Sequence, residues 1–423
     1  MPYLIAIFGL FAIILIHEAG HFLAARMVGV RATRFFIFFP PKLVSVQRGE
    51  VEYGIGTIPL GGFVKLPGMF EPRAEESHWR IEPEVRWCAD QVAEGAARTQ
   101  LLDLLDAVKR SADADQLGRA CTELADGVLA HATNRRMRVI ARRIRDIADD
   151  CHERAYWRAQ LWRRMVVILA GPLANIILAF VIFWTVATFL NPVYHYSWKI
   201  GKVSPGAPAA VAGVKQGDLI VSWNGVKPGS SARQASRFAK TVTKSIGKPT
   251  VISVRDSRAG AGARTYRLTP TDINGKQRIG VMTQVEQAFV RYERDDPWSA
   301  LHTGARAMVT TSSAVVTGLS RLTNPDNLDE VSSVVGIVKV APAWAEAGNL
   351  VGYLGILSLA IAIYNLLPLL PMDGGHVAFG VIERIRRGRP LPRAAFERYS
   401  MVGLMLMLGL FAVGLSNDLG LRG

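Results

Sequence analysis

The chain has 423 residues, 50% hydrophobic and 20% charged, so apolar and polar stretches must be segregated along it. Its formal net charge of +15 is spread over the flanks of apolar runs and over two polar segments, with no RNA- or DNA-binding module visible. Nucleic acid is therefore not expected as a partner, and attraction to anionic lipid of a bilayer accounts for the charge.

The first apolar run begins at Tyr3 and continues to Ala25, long enough to span a membrane. It is interrupted by His17-Glu18-Ala19-Gly20-His21. Ionisable side chains inside such a span are costly and mark a site. The pattern is H-E-x-x-H, whose histidines at i and i+4 stack on one helix face and can reach one metal ion. Glu18 is placed to handle a proton on the attacking water. A lone H-E-x-x-H also occurs in soluble helices that bind nothing, but an idle carboxylate inside an apolar helix would be expensive. A signal peptide is not expected, because no basic segment precedes the run and no small-residue cleavage site precedes the motif.

Residues 43–66 alternate, carry β-branched side chains and contain Arg48-Gly49, which predicts a hairpin. Gly54-Ile55-Gly56 and Gly61-Gly62 permit close backbone approach, with Gly54 and Gly56 as candidates for substrate contact. The alternative is a hairpin that only links helices. From Glu84 to Glu153 the composition favours helix, and apolar residues recur at Leu101, Leu104, Leu105, Val108 and again at Leu117, Cys121, Leu124, Val128. Two or three packed helices are expected within an insert at 73–160. Cys88, Cys121 and Cys151 all lie here, too far apart for a metal knuckle, and should stay reduced as small apolar residues.

A second uncharged run, Met165 to about Leu190, contains Gly171-Pro172-Leu173-Ala174-Asn175. Residues 191–290 then read as a β-rich unit, with Gly217-Asp218 before an alternating strand, Asn224-Gly225 after it, and further strands at Thr250–Asp256 and Thr265–Leu268. In the linker at 291–346, Pro297 to about Leu322 is expected to be an amphipathic helix and Val331 to Val340 an extended or buried run. The third span, Leu350 to Leu370, leads into Asn365-Leu366-Leu367-Pro368-Leu369-Leu370-Pro371-Met372-Asp373-Gly374-Gly375-His376. The prolines stop a helix and the glycines favour a turn. Broken backbone at membrane depth survives only where it lines protein or a wet cavity, so Asp373 is well placed to point inward as a third metal ligand. The competing reading is an ordinary helix end in the headgroup region. A fourth span, Ser400 to about Leu415, is short.

HEAGH in a first span followed by N-L-L-P-x-x-P-x-D-G-G in a later one resembles the site-2 protease family of intramembrane zinc metalloproteases. The resemblance covers most of the chain except the helical insert. It implies zinc held by His17, His21 and Asp373, with Glu18 catalytic and Asn365 helping to hold an opened substrate helix; His376 receives no role. It implies that residues 43–72 are a membrane-associated β-region whose edge pairs with unwound substrate. It also identifies 191–290 as similar to a PDZ domain, which binds extended peptide or a substrate ectodomain at a sheet edge and restricts bulky substrates. A purely structural outer module is the alternative there.

The expected architecture is a polytopic α-helical membrane protein with about four transmembrane helices, a β-rich PDZ-like extracytoplasmic domain and a helical cytoplasmic insert. Arg26, Arg31 and Arg34, then Arg158, Arg163 and Arg164, and the arginines from Arg384 to Arg398 put both of their loops in the cytoplasm. The termini and residues 191–349 are then outside, in what is expected to be a bacterial plasma membrane. The expected substrates are single-span membrane proteins such as anti-sigma factors or remnant signal peptides. The rival readings are a catalytically silent membrane scaffold, against which the intact motifs speak, and a metal transporter, which would show paired internal repeats.

Overall fold

The computed structural model describes the chain apart from residues 93–94, 230–231, 257–261, 274–275, 295, 323, 325–328, 330, 389–390 and 422–423. In chain order the elements begin with α1 (Pro2–Met27), β1 (Arg34–Arg48) and β2 (Val51–Lys65). Four helices follow, α2 (Ala74–Gln91), α3 (Ala96–Arg110), α4 (Ala114–Ala130) and α5 (Arg135–Asp150), then the long α6 (Leu161–Phe189). Next come β3 (Asn191–Val203), α7 (Pro208–Val211), β4 (Leu219–Trp223), α8 (Ala232–Lys244), β5 (Thr250–Arg255) and β6 (Arg264–Leu268). A ribbon of β7 (Thr271–Ile273) and β8 (Lys276–Arg278) precedes β9 (Val281–Glu293). The remainder is helical: α9 (Pro297–Arg321), α10 (Val334–Lys339), α11 (Ala341–Glu346), α12 (Leu350–Asn365), α13 (Asp373–Ile385) and α14 (Arg393–Asp418). The chain divides into two compact units, residues 4–180, 308–337 and 354–423 in one, and 1–3, 181–307 and 338–353 in the other.

Among the described residues three helices, α1, α6 and α14, are long and apolar enough to cross a membrane. The third expected span yields only the 16 residues of α12, because the chain leaves the helix after Asn365, ahead of Pro368 and Pro371. At 1.5 Å per residue α12 is about 24 Å long, below the hydrocarbon thickness of about 30 Å. The fourth is longer than expected, because the polar turns from Arg393 continue the same helix. The run from Val331 to Val340, expected extended or buried, contains the helix α10 instead.

In the larger unit, β1 and β2 form an antiparallel pair turned at Gly49, whose φ is +59°. The pairing starts at Arg34, ahead of the expected position 43, where Phe35 packs beside Phe22 and Tyr53. β2 bends so that residues 34–37 of β1 pair with 52–55 on one side and 62–65 on the other. The segment 62–65 is thus an outer edge with no further strand on it among the described residues.

Four helices form the insert, one more than the upper expectation. α2 runs through Pro83, whose ring lies on the exposed face where the missing N–H leaves a carbonyl open to water. Asp113 caps α4 by accepting from the Gln116 N–H at 2.8 Å, and Asn134 caps α5 through Met137 N–H at 3.0 Å. The four apolar stripes close one core that includes Val85, Leu101, Leu105, Leu117, Leu124 and Ile144. Burial pushes the Cys88 thiol up to about 11 and those of Cys121 and Cys151 to about 12, so all three stay protonated and inert. Ion pairs fasten the bundle's last helix to the β-region: Arg31 to Asp149 at 2.9 Å, and Arg34 and Lys65 to Asp146 at 2.9 and 2.6 Å.

In the other unit, five strands pair in the order β6-β5-β4-β3-β9, with β3 and β9 antiparallel over their length. Asn224 and Gly225, with φ of +48° and +78°, make the turn after β4, as the Asn-Gly pair predicts. α8 covers the sheet through the fully buried Phe238, whose ring lies 4.8 Å from that of Trp198.

Candidate active site

α1 carries His17 and His21 one turn apart on a single buried face, as their spacing requires. Their Nε2 atoms are 3.3 Å apart. Asp373 reaches the same point from the first turn of α13, with Oδ2 at 3.2 Å from His17 Nε2 and 3.3 Å from His21 Nε2. One ligand atom from each of the three lies within 4.8 Å of the others. His21 Nδ1–H donates to the Val167 carbonyl at 2.8 Å, which leaves Nε2 as a lone pair. Asp373 Oδ2 is buried with no donor aligned on it, so its short distances to the imidazoles are not hydrogen bonds. Three lone pairs converging on one point, two from nitrogen and one from oxygen, fit a zinc ion with a fourth position open.

The sequence brings Asp373 there by a tight fold-back. A Cβ on Gly374 would overlap the carbonyls of Leu366 and Leu367, and one on Gly375 would sit 2.6 Å from the Leu370 nitrogen. Only glycines let the start of α13 press against residues 366–370 this closely. Across α1, the small residues of α6 play the equivalent part. A Cβ on Gly20 would lie 2.5 Å from the Ala170 carbonyl oxygen, and one on Gly171 would collide with the His21 ring. The helices can cross at this depth because both faces are bare.

Glu18 lines the same cavity, of about 870 Å³, as His17, His21 and Asp373. The open edge of β2 passes over it: the Val64 amide faces the carboxylate, and a Cβ on Gly62 would be 3.0 Å from Glu18 Cγ. Asn365, at the last turn of α12, also lines the cavity, and its Nδ2 donates to the Ile361 carbonyl at 3.0 Å. Gly54 and Gly56 are placed elsewhere, packed against the Phe36 ring and the Phe38 and Phe39 carbonyls inside the sheet. Of the β2 glycines, Gly61 and Gly62 line the cavity.

Two neighbours of His17 and His21, Gly171 and Asn175, lie in the stretch quoted from the second apolar run but were given no role there. Asn175 is fully buried, with Nδ2 at 3.4 Å from His17 Nδ1 and its own carbonyl accepting from Ser358 Oγ–H at 2.8 Å. A polar side chain inside an apolar run was the available signal.

Hydrolysis is the chemistry that such a donor set with one open position supports, which makes the molecule a zinc metalloprotease of the membrane. The chain belongs to peptidase family M50, the site-2 proteases, whose sequence model matches residues 5–410. It is 29% identical over 430 residues to the zinc metalloprotease RasP of Geobacillus kaustophilus, covering 98% of this chain and 96% of that one. It is 27% identical to the regulator of sigma-W protease RasP of Bacillus subtilis over 98% of this chain and 97% of that one. Against the metalloprotease MmpA of Caulobacter vibrioides the identity is 28%, over 98% and 94%.

Proposed function

We propose that this metalloprotease cuts single-span membrane proteins within or beside their transmembrane segment, with His17, His21 and Asp373 as zinc ligands and Glu18 as the proton-transfer group. The observation that carries the reading is the convergence of three candidate ligand atoms, two from the apolar α1 and one from α13, beside Glu18 and an unpaired strand edge. Zinc bound there supplies an acidified water and polarises the scissile carbonyl. Glu18 takes a proton from the attacking water and delivers it to the leaving amine.

A helical substrate hides its own amides, so the scissile stretch must be held extended. The edge at residues 62–65 offers backbone partners for an added strand, directly over Glu18. Gly62 leaves room for that strand, and Asn365, which lines the same cavity, can receive an exposed peptide group. In this reading Gly61 and Gly62, rather than Gly54 and Gly56, face the substrate.

The topology that suits this chemistry has α1, α6, α12 and α14 as four crossings in a bacterial plasma membrane. The α2–α5 bundle then lies in the cytoplasm and residues 191–290 lie outside as a PDZ-like domain. A cavity of about 740 Å³ between the end of α8 and residues 278–283, with Val242, Ile246 and Gly280 in its lining, suits an extended peptide from a substrate ectodomain. The name of the Bacillus subtilis relative connects that protein to sigma-W regulation, and anti-sigma factors are a fitting substrate class here. Remnant signal peptides, which also present a single short span, are another.

Cleavage of a panel of tagged single-span proteins by detergent-purified enzyme is expected to stop on chelation and to return with zinc. Cleavage that continues at full rate after the zinc content has fallen to zero would overturn the assignment.

A further inference from the structure

The catalytic cavity does not end at the metal ligands. From Glu18 its wall follows the β2 edge to Lys65, then Leu66 and residues 68–72, and reaches Arg73 at the N-cap of α2 and Glu76, Ser77 and Arg80 on its first turns. The helical bundle is therefore part of the cavity wall. An extended chain paired with the β2 edge rises about 3.3 Å per residue, so a few residues carry it from Glu18 past Lys65 towards α2.

The charge on that wall is unevenly satisfied. Lys65 pairs with Asp146 at 2.6 Å, and Glu76 pairs with Arg393. Asp150 accepts from the Gly68 N–H at 2.8 Å. Arg73 and Arg80 are exposed and make no ion pair among the described residues, although both line the cavity. Arg73 stands at the N-cap of α2 and Arg80 two turns into the helix. Glu71 and Asp150 are the acidic side chains on that stretch without an ion-pair partner among the described residues, Asp150 being turned to the Gly68 amide, and Arg73 and Arg80 are its exposed cations.

We propose that Arg73 and Arg80 receive the polypeptide that leaves the catalytic cavity along the β2 edge, selecting substrates with acidic residues in the juxtamembrane segment on that side. The inference rests on the proteolytic reading above. Paired charges of opposite sign favour the right partner and like charges reject the wrong one. Lipid headgroups are the competing use of exposed arginines, but these two line the same cavity as Glu18.

The test uses full-length Glu18→Gln protein and three single-span peptides that differ only in a juxtamembrane triplet of Glu, Gln or Lys. Photo-crosslinking capture is expected to favour the Glu flank over the Lys flank by about tenfold, and Arg73→Glu with Arg80→Glu is expected to invert that order. Equal capture of all three flanks, or an order unchanged in the charge-reversed variant, would overturn the proposal and assign the arginines to lipid. Should the double variant not fold, Arg73→Gln and Arg80→Gln singly are each expected to narrow the preference, and an unaltered preference overturns it. Wild-type cleavage is read in parallel. Flank-dependent capture without any cleavage by zinc-loaded enzyme would count against the proteolytic reading alone.

A second observation carries a separate inference. With His17 Nε2 aimed at the shared point, its Nδ1 bears the hydrogen and needs an acceptor. The nearest polar group is the Asn175 carboxamide, whose Oδ1 is buried and without a partner. Exchanging the amide's oxygen and nitrogen satisfies both atoms at once. We infer that Asn175 is a positioning residue, accepting from His17 Nδ1–H as the Val167 carbonyl does from His21. Asn175→Leu is expected to weaken zinc binding by about 10–100-fold in chelator competition, whereas Asn175→Asp, which keeps an acceptor, stays close to wild type. Wild-type affinity in the leucine variant, or an equal loss in the aspartate variant, would refute it. If the leucine variant does not fold, the aspartate variant decides alone, since a tenfold loss there overturns the inference.

Discussion

Glu18→Gln is expected to retain zinc at wild-type stoichiometry while kcat falls by about 10²–10⁴-fold, the usual contribution of a positioned acid–base group. The carboxamide has nearly the same volume, so the packing of residue 18 under Gly62, where a Cβ would come within 3.0 Å of Cγ, is undisturbed. None of the three ligand atoms belongs to residue 18, so metal content should not follow activity. Metal analysis and a cleavage assay on the same sample separate the two. Activity within tenfold of wild type would remove Glu18 from the proton-transfer role, and loss of zinc would make it a ligand or a ligand support instead.

Gly171→Ala should be nearly as damaging, through the metal rather than the proton. The added Cβ lands against Nε2, Cε1 and Cδ2 of His21. That ring cannot swing aside freely, because Nδ1 is held by the Val167 carbonyl and Nε2 belongs to the ligand cluster. Alanine is the better helix former by about 1 kcal/mol, so weakening of α6 does not explain a loss. Zinc affinity is expected to fall at least about tenfold, and kcat/KM by about 10²-fold, as for small displacements of reacting groups. Unchanged affinity in a folded variant would mean that α1 and α6 can part without cost, contrary to the close packing of Gly20 on Ala170.

The parts of the site legible in the sequence were those encoded by local spacing and chemical expense. His17 and His21 share a face because of helical period, and Asp373 stood out because its prolines and glycines break an apolar run. Gly171 and Asn175 were harder to read, since their roles depend on how α6 crosses α1. The β-region shows the same limit. Period and composition indicate a hairpin, but the bend that doubles β2 back along β1 decides which glycines face the cavity, and it selects Gly61 and Gly62. Helix ends were misplaced where charge and prolines misled. The polar turns of α14 continue an apolar helix, and Pro83 sits inside α2 because its ring faces solvent. The bundle has one helix more than expected: the recurrences at 101–108 and 117–128 mark α3 and α4, whereas α2 begins ahead of Pro83, before the helical stretch read from Glu84.

The self-contained core of that bundle has an evolutionary corollary. Its buried residues, from Ile81 to Cys151, pack on one another, and none of them is a metal ligand. Substitutions that redecorate the outer face of α2 therefore leave the geometry around Asp373 intact. The repertoire of clients can drift on the bundle's surface while the residues that gather around Asp373 are inherited unchanged.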